Sequence, residues 1–140
     1  MRALICAASL LGLLCVVALT SGPVGAQDDE KPTIKQIMAK LHKGAQAPLK
    51  GVQGEMKKET PDWAKVEANA IIIDKFGAYL PKTKAPKGEQ ADYEKLANAY
   101  AKSAKSLRDA AEDKELTKAK DATKKLGASC KSCHSAHREN

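Results

Sequence analysis

The chain has 140 residues, in which 24 Lys and Arg stand against 17 Asp and Glu, so its formal net charge is +7. This length is enough for one domain. Aromatic residues make up only 4% of the chain and do not interleave with the lysines, which excludes the usual pattern of a nucleic-acid-binding surface. The basic balance favours acidic partner surfaces, an anionic membrane face or a plain lysine coat on exposed helix faces.

Residues 1–26 have the layout of a secretory signal peptide. Arg2 supplies the basic start, residues 3–19 form an apolar run, and residues 24–26 are small or β-branched, as signal peptidase requires. The apolar run is just short of the ~20 residues that span a bilayer, so an uncleaved anchor is the alternative. We expect cleavage, export to the periplasm and no stable membrane insertion afterwards.

Cleavage after Ala26 predicts one mature domain, residues 27–140, in which Cys130 and Cys133 are the only cysteines. The two cysteines of the leader serve as small apolar residues of its hydrophobic run. The mature domain has one Trp, one Phe and three Tyr with which to build a core. That is a lean supply of buried area, and a large apolar cofactor would compensate for it.

Hydrophobic residues recur at helical spacing along the mature chain, and no strand-like alternation occurs. Start and stop signals divide this pattern into four predicted helices: 32–43 with a possible continuation over 49–57, 60–80, 90–111, and 113 to beyond Cys130. Residues 81–88, with two prolines and a glycine, form the predicted loop between the second and third helices. Four amphipathic helices with short connections predict an all-α fold, an antiparallel four-helix bundle.

Cys130, Cys133 and His134 form a Cys-x-x-Cys-His motif, the attachment site of a c-type haem. At positions i, i+3 and i+4 of a helix the three side chains share one face. Two thiols about one turn apart match the two vinyl groups along one porphyrin edge. The adjacent imidazole then supplies the fifth iron ligand. An exported chain suits this chemistry, because covalent attachment of haem takes place outside the cytoplasm.

Two alternatives remain for these cysteines. A zinc site could combine them with His137 and His42, but a second ligand pair at zinc-knuckle spacing is missing. A disulfide between Cys130 and Cys133 is possible, although no thioredoxin-like βαβ pattern surrounds it.

The motif, the four-helix pattern and the Ile37-Met38 pair in the first helix resemble class II cytochromes c, the cytochrome c′ superfamily. His137 and Arg138 also match family positions that hold an aromatic or histidine and a basic residue. The resemblance spans residues 27–140 and implies a four-helix domain with one haem c per chain. The first helix departs from the family through four interrupting residues: Gly44, Pro48, Gly51 and Gly54.

In the superfamily the first helix covers the distal face of the haem, and Met38 matches the position that decides the sixth ligand. A methionine there implies six-coordinate, low-spin iron, whereas a non-ligating residue leaves iron open to nitric oxide or carbon monoxide. Alternatively, Met38 has only a structural role and packs in the hydrophobic core. His42 lies one turn further on the same face and would give bis-histidine ligation.

From the resemblance we expect an electron carrier rather than an enzyme, with His134 as proximal and Met38 as distal ligand. The alternative is a five-coordinate haem protein that binds nitric oxide or carbon monoxide. The lysine-rich surface predicts redox partners with acidic docking surfaces and no nucleic acid. Bundles of this superfamily often pair through their first two helices, so a homodimer is possible. The physiological donor and acceptor and the reduction potential do not follow from the sequence.

Overall fold

The computed structural model describes residues 31–138, and this part of the chain is all-helical, without strands. It contains five α-helices and one short 3-10 turn, Leu80–Lys82. The helices are α1 (Ile34–His42), α2 (Pro48–Glu55), α3 (Trp63–Gly77), α4 (Gln90–Glu112) and α5 (Leu116–His137). The predicted helical-bundle class is therefore confirmed. The predicted signal peptide, residues 1–26, lies outside the described residues.

The first predicted helix is present as two separate helices. Thr33 caps α1 through a capping box with Gln36, and the helix ends at His42. Gly44 follows with a φ of +91°, a conformation that glycine adopts without strain. Pro48 then starts α2, where its missing N–H costs nothing. The interruption noted in the sequence is thus a turn that separates α1 from α2.

The second predicted helix starts and ends slightly inside its predicted bounds. Asp62 is the N-cap of α3, and its side chain accepts a hydrogen bond from the Lys65 N–H. The helix ends at Gly77, and Leu80 lies in the 3-10 turn instead. Pro81 has no N–H to donate to the carbonyl of Gly77 four residues earlier, so the α-helical hydrogen-bond pattern cannot continue through it.

The core lies where α4 packs between α3 and α5, with α2 against α3. Helix α1 packs mainly on α2 and α3. The largest side chains that are fully buried are aliphatic: Ile37, Leu41, Val52, Val66, Ile73, Leu107 and Leu126. Trp63, Phe76 and Tyr79 are only partly buried and pack against this core. None of the helices among residues 31–138 is long and apolar enough to cross a bilayer.

A buried carboxylate, which the sequence analysis did not single out, ties α2 to α3. Both oxygens of Glu55 accept hydrogen bonds from the Lys58 ammonium at 2.8 Å, and one also accepts from the Asp62 N–H at 3.0 Å. These hydrogen bonds, first the one from Lys58 and then the one from Asp62, lower the pKa of Glu55. The ionised carboxylate therefore stabilises the connection between the two helices.

We predict that this carboxylate makes the fold acid-sensitive. Since folding lowers the pKa of Glu55, its stabilisation is present above the unfolded value of 4.5 and is lost as pH falls through the lower folded value. In urea unfolding, Glu55→Gln should lower the midpoint at pH 7 and reduce its decline between pH 5 and about 3. Glu67→Gln, on an exposed part of α3, is the control. A decline in Glu55→Gln as steep as in the wild type would contradict this role.

Candidate haem-binding site

A cavity of about 520 Å³ lies between α1, α4 and α5. Its walls are mostly apolar, and a few polar side chains converge on it. The lining residues from α1 are Ile34, Lys35, Met38 and His42; those from α5 and its end are Ser129, Cys130, Cys133, His134, His137 and Arg138. The volume and the lining are typical of a site for a cofactor-sized ligand, for which ~300–1,000 Å³ is the usual range.

Helix α5 places the three motif side chains in this cavity. Cys130 and Cys133 are both half-buried, and they are separate thiols, not a disulfide. The Cys130 thiol donates a 3.6 Å hydrogen bond to the Leu126 carbonyl oxygen. Burial, and secondarily the neighbouring Cys130, raises the pKa of the Cys133 thiol. His134 also lines the cavity, although much of this residue is exposed. The predicted common face of the motif is thus turned toward the cavity.

Helix α1 supplies another wall of the cavity, with Met38 and His42 one turn apart. Met38 is half-buried and packs against the core. His42 is also half-buried, and its Nε2 lies 3.5 Å from the Tyr100 hydroxyl oxygen. Burial lowers the pKa of His42, and the charge of His134 lowers it further, so the two imidazoles are within electrostatic reach. Both candidates for the distal position therefore lie in the cavity that contains the motif.

His137 has a structural role that sequence reasoning underestimated. Its side chain is 3% exposed, and its Nδ1 lies 2.7 Å from the Lys87 carbonyl oxygen. Because a carbonyl oxygen only accepts, Nδ1 carries the proton. The ring packs edge-on against Tyr93, with centroids 5.5 Å apart, and Nε2 has no hydrogen-bond partner among residues 31–138. Through its hydrogen bond to Lys87, His137 thus holds the C-terminal end of α5 against residues 81–89. The signal available in the sequence was its position one turn after Cys133.

Gly88 makes this contact possible. Its φ is +77°, and a Cβ built on it would lie 3.1 Å from Nδ1 of His137. A side chain at this position would therefore combine an unfavourable backbone conformation with a close approach to the histidine ring.

We predict that Gly88→Ala destabilises the folded protein by about 1–3 kcal/mol, the usual cost of a non-glycine residue held in this region. Gly54→Ala is the matched control, because Gly54 lies in α2 with no atom within 4 Å of an added Cβ. Alanine is the better helix former, so the control should be neutral or more stable by up to about 1 kcal/mol. Urea unfolding of both variants in the same haem state measures the difference. If the two variants are equally stable, neither the backbone conformation of Gly88 nor its contact with His137 requires glycine.

The zinc and disulfide alternatives receive no support from this arrangement. Within residues 31–138 no group of three or more His, Cys, Asp or Glu side chains is placed to hold a metal ion. His137, a proposed zinc ligand, binds the Lys87 carbonyl through Nδ1 instead.

The lining fits a covalently attached haem. Two thiols lie one helical turn apart, an imidazole follows them on the same face, and a thioether is available from α1. Lys35 and Arg138 add positive charge to the cavity lining, and these charges could pair with the propionate carboxylates of a haem.

A family model described as Cytochrome C' matches residues 82–138. The matched part comprises the connection before α4, α4 itself and α5 with its Cys-x-x-Cys-His motif. No curated protein and no solved structure matches the chain significantly. The family match supports the resemblance to the cytochrome c′ superfamily, and it indicates a c-type haem protein. Because it does not include α1, it carries no information about Met38.

Proposed function

We propose that this chain is an exported c-type cytochrome that carries single electrons and has no catalytic residues of its own. The observation that supports this function is that Cys130, Cys133, His134 and Met38 line one mostly apolar cavity. A haem bound there would supply the one-electron exchange. The family match supports the haem, and the electron-carrier role rests on the proposed ligands.

The two cysteines would hold the haem by covalent bonds. Cys130 and Cys133 would each hold the haem through one thioether bond, formed when the S–H adds across a vinyl C=C bond, an addition that needs no oxidant. The raised pKa of the Cys133 thiol keeps it in its S–H form until it reacts. Helix α5 keeps the thiols about one turn apart, which matches the spacing of the two vinyl groups.

His134 and Met38 would be the axial ligands. His134 projects from the same helix as the cysteines, so its imidazole is fixed relative to the attachment points. Met38 comes from α1, whose N-terminal end is fixed by the Thr33 capping box. A methionine–histidine pair favours ferrous iron and raises the reduction potential. The mostly apolar walls would also favour the less charged ferrous state.

A second candidate function is the binding of nitric oxide or carbon monoxide at an open iron site. The match to a family described as Cytochrome C' favours it, since open iron is the expectation for that group unless a ligand fills the sixth position. His42 and Tyr100 would then provide polar groups beside the bound gas. The two candidates differ in one feature, namely whether the Met38 sulfur binds the iron.

We predict that covalent haem depends on the cysteines of the motif. After export from a host that matures c-type cytochromes, Cys130→Ala/Cys133→Ala should lose all haem that survives denaturing electrophoresis. Ser132→Ala, an exposed position between the two cysteines, should keep it. Haem staining of the gel, normalised to protein, is the measurement. A wild-type protein band that carries no haem would contradict the proposed function.

We predict that Met38→Ala opens the sixth position. The wild type should give a low-spin ferrous spectrum that carbon monoxide does not change. Met38→Ala should bind carbon monoxide and have a lower reduction potential, because the thioether that favours ferrous iron is gone. Ile34→Ala removes another α1 side chain that lines the cavity and should behave like the wild type.

Two outcomes would contradict this ligand assignment. A wild type that binds carbon monoxide with a high-spin ferrous spectrum would favour the second candidate. A low-spin spectrum that survives in Met38→Ala but is lost in His42→Ala would identify His42 as the ligand instead.

A further inference from the structure

A second concave surface lies between α2 and α5 and shares no residue with the haem cavity. It is an open groove of about 440 Å³. Its lining consists of Gln53, Lys57, Lys120, Thr123, Lys124 and Gly127. Three of these six residues are lysines and none is acidic, so the groove concentrates positive charge.

Several lysines beside the groove are neutralised by ion pairs, whereas within residues 31–138 the lysines that line the groove form none. Lys118 lies 2.6 Å from Glu115, and Lys125 lies 2.7 Å from Asp121. On the α2 side Lys58 pairs with Glu55. Among the ion pairs of residues 31–138, none involves a lysine of the groove.

Because acidic partners are lacking in the described part of the chain, the lysines of the groove repel one another. Lys120 and Lys124 are four residues apart on α5, a spacing at which like charges destabilise a helix by about 0.2–0.5 kcal/mol. An acidic group that entered the groove would relieve this repulsion.

The positive charge continues to the haem-attachment motif. Lys131 is exposed and lies seven residues after Lys124, on the same face of α5. It stands between Cys130 and Cys133 in the sequence. We refer to Lys57, Lys120, Lys124 and Lys131 as the basic stripe. It runs along α5 from the groove to the turn that carries the two cysteines.

The other lysine-rich segment near the cavity, residues 82–87, has a mixed charge environment. Glu89, Asp92 and Glu94 follow it closely, and Lys82 lies over the Tyr79 ring. In the groove, by contrast, none of the lining residues is acidic.

We propose that the basic stripe is the docking surface for an acidic one-electron redox protein, an inference that rests on the proposed electron-carrier function. Carboxylates of that partner would lie along the stripe and approach the turn of Cys130 and Cys133. One electron would then pass from the ferrous chain to the oxidised partner, or in reverse from a reduced partner. Charge complementarity of this kind speeds encounter and is weakened by salt.

The test uses two charge-reversed forms of the full, haem-loaded chain. Lys120→Glu/Lys124→Glu reverses the stripe, and Lys118→Glu/Lys125→Glu makes the same change of net charge on the ion-paired lysines of the same helix. Gold coated with a carboxylate-terminated monolayer is the probe for an acidic surface. A quartz microbalance measures the bound mass, and voltammetry measures the electron exchange.

At low ionic strength the stripe variant should bind about tenfold more weakly than the wild type, a size typical of electrostatic steering. The control variant should stay within about threefold, and 0.2 M salt should abolish the difference. Equal losses in both variants would show that only net charge matters and would overturn the proposal. Stripe-dependent binding of mass without current would support the docking surface but contradict the electron-carrier function.

Discussion

The close packing of α4 against α5 is the constraint on which the site depends. Buried alanines on these helices, among them Ala111, Ala119 and Ala122, leave room for close packing. This contact fixes the face that α5 turns toward α1. Because α1 packs on α2 and α3, a mostly apolar cavity is left beside the cysteines. An apolar group bound there would add packing contacts to the core. The lean supply of aromatic residues agrees with such a group.

The C-terminal end of α5 needs its own restraint, because His134, the proposed iron ligand, lies in its last turn. His137 supplies it through the Lys87 carbonyl and the Tyr93 ring. The motif is thus held from both sides, by α4 along the helix and by residues 81–89 at its end. Rigid ligands are what an electron carrier requires, since the iron environment then changes little between the two valences.

Much of the fold could be predicted from the sequence, because helix periodicity and capping are local properties. The stripe of Val66, Ala70 and Ile73 follows from helical spacing, and the start of α3 near Pro61 follows from local start signals. The same holds for the shared face of Cys130 and Cys133. The Glu55–Lys58–Asp62 contacts and the burial of His137 could not be predicted, since they depend on how separate segments meet. The placement of Met38 and His42 beside the motif was expected from the family resemblance but not from local pattern, because it depends on tertiary packing.

The central claim is that one haem is bonded to this chain through Cys130 and Cys133 after export. The intact mass of the protein purified from the periplasm of a host that matures c-type cytochromes tests it most directly. We predict a single species that corresponds to residues 27–140 plus one haem and keeps that mass in denaturant. A denatured chain with the mass of the polypeptide alone would contradict the account. So would a haem-bearing fragment that lacks the Cys130–His134 segment.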